Sequence, residues 1–404
     1  MKYLTLFILL AILVATSTIQ IQRDNVIVRN GPGIFYDKLG ELDKNESIEM
    51  KKKIDNWLEI KYQNKAGFIS QKSIVALKKN SDLFKKLGTQ KTDLIISKHG
   101  VSAGVKGFAA RTNRTQERSN NFLTYLNNYN LNHSYYQAFK HQIPPKNKII
   151  KIPDKTSHSY FSEAEIIFGK KIAEQIANYG IYENKQVQDY VNAVGMNIVE
   201  STEMYDQLFK FFILDTEKLN AYACPGGIIF VTKGLLTSLK NEAELCVTLA
   251  HEITHCIRQH GLEETKNRKT LIKAENSFSE LDAEMDEMGM EQDEDITETE
   301  QELENELMDF YDKIFDGRLM EYEYEADYYA TIYTARCGYN PNTLFDILHR
   351  LISQNAKSTN DHFTNHHLIR RNKELLANGI VTGNFDYRNN HSARFNKYID
   401  MIKN

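Results

Sequence analysis

The chain of 404 residues is short of the residues that punctuate or cross-link a fold: six prolines, 20 glycines, four cysteines and one tryptophan, Trp57. Few prolines and glycines predict long elements and few turns. No two cysteines form a Cys-x-x-Cys pair, which argues against a structural zinc knuckle. Cys224, Cys246, Cys256 and Cys337 are even in number and so permit disulfides, but the sequence does not choose a pairing, and small buried residues are the simpler expectation. A net charge of -4 lacks the positive excess of a nucleic-acid-binding chain. Beyond the N-terminal run, no stretch approaches the roughly 18 apolar residues of a membrane-spanning helix. The composition, 41% hydrophobic and 26% charged, is that of a soluble globular protein, and the length allows two or three domains.

The start has the layout of a Sec-type signal peptide over residues 1–17. Lys2 supplies the positive end, Leu4 to Val14 the apolar run, and Ala15-Thr16-Ser17 the small residues for cleavage after about Ser17. No cysteine follows, so a lipoprotein anchor is not expected. The expectation is an exported chain, periplasmic or secreted, or membrane-associated through an uncleaved signal.

Residues 22–78 are short apolar runs between turn residues, an all-β pattern. The runs are Val26-Ile27-Val28, Ser47-Ile48-Glu49-Met50, Trp57-Leu58-Glu59-Ile60-Lys61 and Gly67-Phe68-Ile69. The Val28-Arg29-Asn30-Gly31-Pro32 opening, the tryptophan after a turn and the Gly-aromatic-Ile close resemble the bacterial SH3-like barrel. The resemblance implies a targeting or binding module with a cell-wall or peptide ligand, although Trp57 could equally be core. Residues 79–158 read as a linker or irregular region with one or two helices. His99, His133, His141 and His158 are expected there as surface residues.

Residues 159–380 carry the chemistry. A helix starts at Ser162, with Ile166, Ile167, Ile172 and Ile176 on its apolar side and Gly180 at its close. A second runs from about Lys185 to Glu200. Strands are expected at Phe211–Leu214 and Gly227–Thr232. The segment from Asn241 to Gln259 reads as a helix with Asn241 as N-cap, Glu244 completing a capping box and Gly261 as a plausible stop. Leu245, Leu249 and Ile253 give it a buried face. On that helix stands His251-Glu252-Ile253-Thr254-His255. Residues four apart are neighbours, so His251 and His255 can direct two imidazoles at one metal ion at about 2.0–2.1 Å. Glu252, one residue round, can take a proton from a water at the open position. Alone, the five-letter pattern could also be the polar edge of an amphipathic helix.

From 275 to 306 the chain is rich in Asp and Glu and has no Lys or Arg. This acidic insertion reads as a solvated helix or disordered segment, with a flap over the cleft or a weak cation site as the sharper alternatives. A helix from about Leu303 to Cys337 holds Glu321-Tyr322-Glu323-Tyr324-Glu325-Ala326-Asp327, where Glu321, Glu323 and Glu325 compete to be the third metal ligand. Further helices are expected at Asn342–Gln354 and Leu368–Asn378, and 381–404 reads as a polar tail.

Three ordered features resemble the HtpX/BepA-type zinc metallopeptidases, which include the type I CAAX prenyl endopeptidases. They are Asn220-Ala221 with Pro225-Gly226-Gly227 and Val231 to Leu236, the His-Glu-x-x-His helix, and a Glu-x-x-Ala-Asp at 323–327. The resemblance covers 162 to about 350. It implies one zinc per chain held by His251, His255 and Glu323, with Glu252 catalytic and Asp327 orienting a ligand. Asp327 is four residues from Glu323, on the same helical face, where it can accept from a ligand imidazole. Family members often carry a His-Pro and a later Arg. Here His362-Phe363-Thr364-Asn365-His366-His367 lacks the proline, and His366, with Arg371 nearby, is the candidate second catalytic residue, a regulatory or transition-state-stabilising histidine, with a structural role for either as the alternative. With no hydrophobic spans, the chain is similar to the soluble periplasmic branch. The main chain at Asn220 and Ala221, or the strand that follows, is the candidate substrate-binding edge, with Asn220 satisfying only local backbone groups as the alternative.

The expected fold is multidomain: a small all-β SH3-like barrel followed by a predominantly helical α+β zincin metallopeptidase domain. The expected function is a zinc-dependent metalloendopeptidase acting on exported or misfolded envelope proteins. The alternatives are a latent protease that mainly holds clients, or a cell-wall-associated module. The expected partners are protein or peptide substrates, with no nucleic acid.

Overall fold

The structure is a computed structural model that describes residues 17–76, 116–143, 152, 160–161, 163–261, 320–355 and 390–403. The chain divides into two compact units between residues 78 and 79. The apolar part of the expected signal, the acidic insertion 275–306, the helix expected at 368–378 and His158, His366 and Arg371 lie outside the described residues.

The first unit is one antiparallel sheet. Its strands are β1 (Ser17–Gln20), β2 (Val26–Arg29), β3 (Lys38–Leu42), β4 (Ser47–Ile54), β5 (Trp57–Tyr62) and β6 (Lys65–Ser70), in the order β1-β4-β5-β6-β2-β3. The sheet therefore begins before residue 22: Ser17 pairs with Met50 and Gln20 with Ser47. Strand alternation brings Val26, Val28, Leu58, Ile60 and Ile69 into one core with Ile21 and Leu42. Trp57 points away from Leu58 and Ile60 along the strand yet is buried, so it packs within the fold.

Scarce glycine does not mean few turns. The β5–β6 hairpin turns through Gln63 and Asn64 at φ 47° and 62°, and Asp55 between β4 and β5 has φ 54°. Asn and Asp tolerate the left-handed region better than other side chains, so they serve where glycine is rationed.

The second unit is helix-rich around a three-stranded sheet. Its helices are α1 (Gln116–Asn128), α2 (His133–Lys140), α3 (Glu163–Ile176), α4 (Lys185–Val199), α5 (Lys233–Ser238), α6 (Glu242–Arg258), α7 (Met320–Arg336), α8 (Thr343–Asn355) and α9 (Ser392–Lys403). The strands β7 (Lys210–Leu214), β8 (Ala221–Cys224) and β9 (Ile228–Thr232) lie in the order β7-β9-β8. β7 and β9 are parallel; β8 returns antiparallel to β9 and is an edge strand among the described residues. One sheet face, with Phe212, Leu214, Tyr222 and Phe230, packs on α1 and α3 through Phe122, Leu126, Phe168 and Ile172. Residues 116–140, expected as part of a linker, thus contribute to this core.

The Pro225–Gly227 turn that joins β8 to β9 sits directly on α3. A Cβ at Gly169 would lie 1.8 Å from Pro225 O, so only glycine allows this approach.

The stretch expected as a polar tail contains α9, which buries Phe395, Tyr398 and Ile399. Arg394 reaches the fully buried Glu242 at the start of α6, with Nε 2.6 Å from Oε2. Tyr190 and Tyr339 donate to the same carboxylate at 2.9 and 2.5 Å. All four cysteines are buried thiols, none in a disulfide. Among the described residues, no helix is long and apolar enough to cross a membrane.

Candidate metal centre

Helix α6 is built as its sequence asks. Asn241 accepts from Glu244 N–H at 3.0 Å, and two acidic residues stand in the positive first turn. The capping box is not closed on Asn241: Glu244 accepts instead from Lys240 N–H and pairs with Arg350. The helix stops before Gly261. Gln259 takes the left-handed conformation, φ 58°, its N–H turning back to Cys256 O and His255 O. Its side chain donates to the buried Glu165 of α3 at 2.7 Å.

Helix α7 runs antiparallel to α6, because rising positions on one meet falling positions on the other. Cys246 meets Thr334, His251 meets Asp327 and His255 meets Glu323. This register brings three of the named side chains to one point. His251, His255 and Glu323 each offer one ligand atom, all within 4.8 Å of one another. His251 Nε2 is 3.0 Å from His255 Nε2 and 3.2 Å from Glu323 Oε2, and His255 Nε2 is 3.5 Å from Glu323 Oε1. Tetrahedral zinc with nitrogen and oxygen ligands at about 2.0–2.1 Å sets its ligand atoms roughly 3.3 Å apart. The donor set and its spacing fit such an ion.

Each imidazole is also held from behind. His251 Nδ1 is 2.9 Å from Asp327 Oδ1. His255 Nδ1 is 2.9 Å from His260 Nδ1, and His260 Nε2 is 3.1 Å from Glu325 Oε2. Arg258 secures the other Glu325 oxygen, Nε to Oε1, at 2.6 Å and donates to Tyr329 Oη at 2.7 Å. Burial opposes charge on His251, but its bonds to Asp327 and Glu323 outweigh it and raise the imidazole well above its ordinary range. The Glu325 carboxyl is held below the usual range, first by His260, with Arg258 adding to it against burial.

Glu252 is half-buried on the turn of His251. The phenol of Tyr222 in β8 is raised mainly by burial, with the charge of Glu252 adding to it. Asn220 is drawn inward: its carbonyl accepts from Thr232 N–H at 3.0 Å, and its side chain accepts from Ala221 N–H at 2.9 Å. The sequence reading missed His260, Glu325 as a bonded partner of His260, and Arg394. A histidine five residues past His255 was the available signal for the first.

Residues 185–378 match Peptidase family M48, and residues 24–75 match Bacterial SH3 domain. The chain is 32% identical over 71 residues to the beta-barrel assembly-enhancing protease of Escherichia coli (strain K12), covering 18% of this chain and 15% of that protein. It is 25% identical over 174 residues to the mitochondrial metalloendopeptidase OMA1 of Arabidopsis thaliana, covering 43% of this chain and 32% of the relative. A third match, to the mitochondrial metalloendopeptidase OMA1 of Schizosaccharomyces pombe, is 29% identical over 111 residues and covers 26% and 33%. The chain thus spans a third or less of the length of these relatives.

Proposed function

We propose, from the matches of residues 185–378 to Peptidase family M48 and of residues 24–75 to Bacterial SH3 domain, that the chain is a zinc-dependent metalloendopeptidase that cuts exported proteins of the cell envelope. The observation that carries the reading is the convergence of His251, His255 and Glu323 at 3.0–3.5 Å, with the second nitrogen of each imidazole already held. When bound, zinc supplies a Lewis acid that acidifies water and polarises a carbonyl.

The protein residues do the rest. Asp327 accepts the Nδ1–H of His251 and leaves Nε2 to ligate. Glu252, one residue round from His251 on the same helix, takes the proton of the attacking water and returns it to the leaving amine. An extended substrate aligns along the β8 edge, by the strand addition that open sheet edges permit. Export is supported by Lys2 and the apolar run Leu4–Val14. A peptide or cell-wall ligand for the first unit is the corresponding role for the SH3 domain.

The test is zinc content per chain together with cleavage of an unfolded protein, wild type beside Glu252→Gln. About one zinc in both proteins, with cleavage in wild type alone and abolished by a chelator, supports the reading. One zinc and no cleavage in either makes the domain a client-holding module. No zinc in folded, metal-supplied protein defeats the proposal.

A further inference from the structure

We infer that Arg258, Glu325 and His260 form a positioning chain that fixes the proton of His255 on Nδ1 and so presents its Nε2 lone pair to the metal. The inference rests on the reading of this site as a zinc centre. It adds a second support to the centre, unlike the single carboxylate behind His251.

With His260 neutral, the direction of every bond follows from one end. A guanidinium only donates, so Glu325 Oε1 accepts from Arg258 Nε at 2.6 Å. An ionised carboxylate only accepts, so His260 must donate from Nε2 to Glu325 Oε2 across 3.1 Å. A neutral ring with its proton on Nε2 has a bare Nδ1. That nitrogen is 2.9 Å from His255 Nδ1, so His255 is the donor. His255 Nε2 is then left unprotonated, 3.0 Å from His251 Nε2 and 3.5 Å from Glu323 Oε1. His260 has no exposed surface and His255 almost none, so water does not compete for these bonds. The ring of Tyr322, with its centroid 4.8 Å from that of His260, holds the imidazole in place.

This chain has a consequence that packing alone would not produce. Glu325→Gln is isosteric. Arg258 must keep the amide oxygen at the Oε1 position, which turns the amide NH2 toward His260 Nε2. His260 then has to accept there and carry its proton on Nδ1, facing the Nδ1–H of His255. The substitution reverses the polarity of the chain without changing its volume.

The experiment measures zinc affinity by chelator competition for wild type, Glu325→Gln, His260→Asn and the double variant, with circular dichroism of each metal-free protein. Side-chain nitrogen NMR of the zinc-loaded wild type reads which ring nitrogens carry protons. We expect Glu325→Gln to bind zinc about 10–100-fold more weakly, the usual effect of losing an outer partner of a ligand, with its helix content intact. His260→Asn, whose amide oxygen stands near the position of Nδ1, should stay close to wild type, and adding Glu325→Gln to it should cost little. Unchanged affinity in Glu325→Gln, or wild-type spectra with the proton of His260 on Nδ1, would overturn the inference while leaving the zinc centre standing. If the wild type itself takes up no zinc, the reading of the site falls, and this inference with it. The NMR arm needs no variant, so a Glu325→Gln protein that fails to fold leaves the question decidable.

Discussion

Replacing Arg394 by methionine removes the cation that α9 supplies to the start of the metal helix. The Glu242 carboxylate beneath it is fully buried, and Arg394 itself is only 14% exposed. Breaking such a pair from one side typically costs about 3–5 kcal/mol, because the remaining charge is stranded. Here the loss should lie near the lower bound, about 3 kcal/mol, since Tyr190 and Tyr339 still donate to Glu242 at 2.9 and 2.5 Å. Both phenols are held well above their ordinary range, by burial first and Glu242 next, so they remain donors.

The companion variant, Arg394→Met with Glu242→Gln, strands no charge, so its cost should fall short of the sum of the two single costs by about 2–3 kcal/mol. Urea unfolding followed by far-UV circular dichroism reads the helical unit. Fluorescence of Trp57, the sole tryptophan, reads the first unit and serves as an internal reference. The reasoning fails if Arg394→Met costs under about 1 kcal/mol, the range of an exposed ion pair, or if the double variant is additive.

Four other outcomes are expected. Glu252→Gln should retain zinc and lose about 10²–10⁴-fold in turnover, the usual contribution of a general base; measurable wild-type-like cleavage would remove Glu252 from that role. Asp327→Ala should weaken zinc about 10–100-fold in the same chelator competition. Gly169→Ala should destabilise the helical unit by about 1–3 kcal/mol, because its Cβ meets Pro225 O, and should raise KM if substrate lies along β8. Stripping the metal should lower the melting point of the helical unit, losing about 4 kcal/mol for a site filled at a thousand times its Kd, with the Trp57 signal unmoved.

The metal helix was legible because its signals are local: a cap at Asn241, a periodic apolar face, and two histidines one turn apart. The first unit was legible from strand alternation. Strand β8 was not, because Ala-Tyr-Ala-Cys has only one residue of strong strand preference. Helix α9 was overlooked although Phe395, Tyr398 and Ile399 fall at helical spacing, since the polar and charged residues interleaved with and flanking them, Arg394, Asn396, Lys397 and Asp400, mask it. Among Glu321, Glu323 and Glu325 spacing alone could not choose. The antiparallel register against α6 brings Glu323 to the histidines and Glu325 to Arg258. The bond from His260 to Glu325 joins residues 65 apart, and no local pattern encodes it.

The left-handed turn at Gln259 is more than the end of a helix. At about 100° per residue, a position five along an unbroken helix points roughly 140° away from its starting residue. In a continuous α6, His260 would face away from His255, and the two rings could not meet. One residue at positive φ folds the chain back and brings the second ring against the first. Glycine would adopt that backbone more cheaply, yet it would leave the buried Glu165 carboxylate without the amide that now donates to it. A side chain that strains the backbone at 259 is therefore the one that lets a single residue do two tasks: aim a histidine and answer a buried acid.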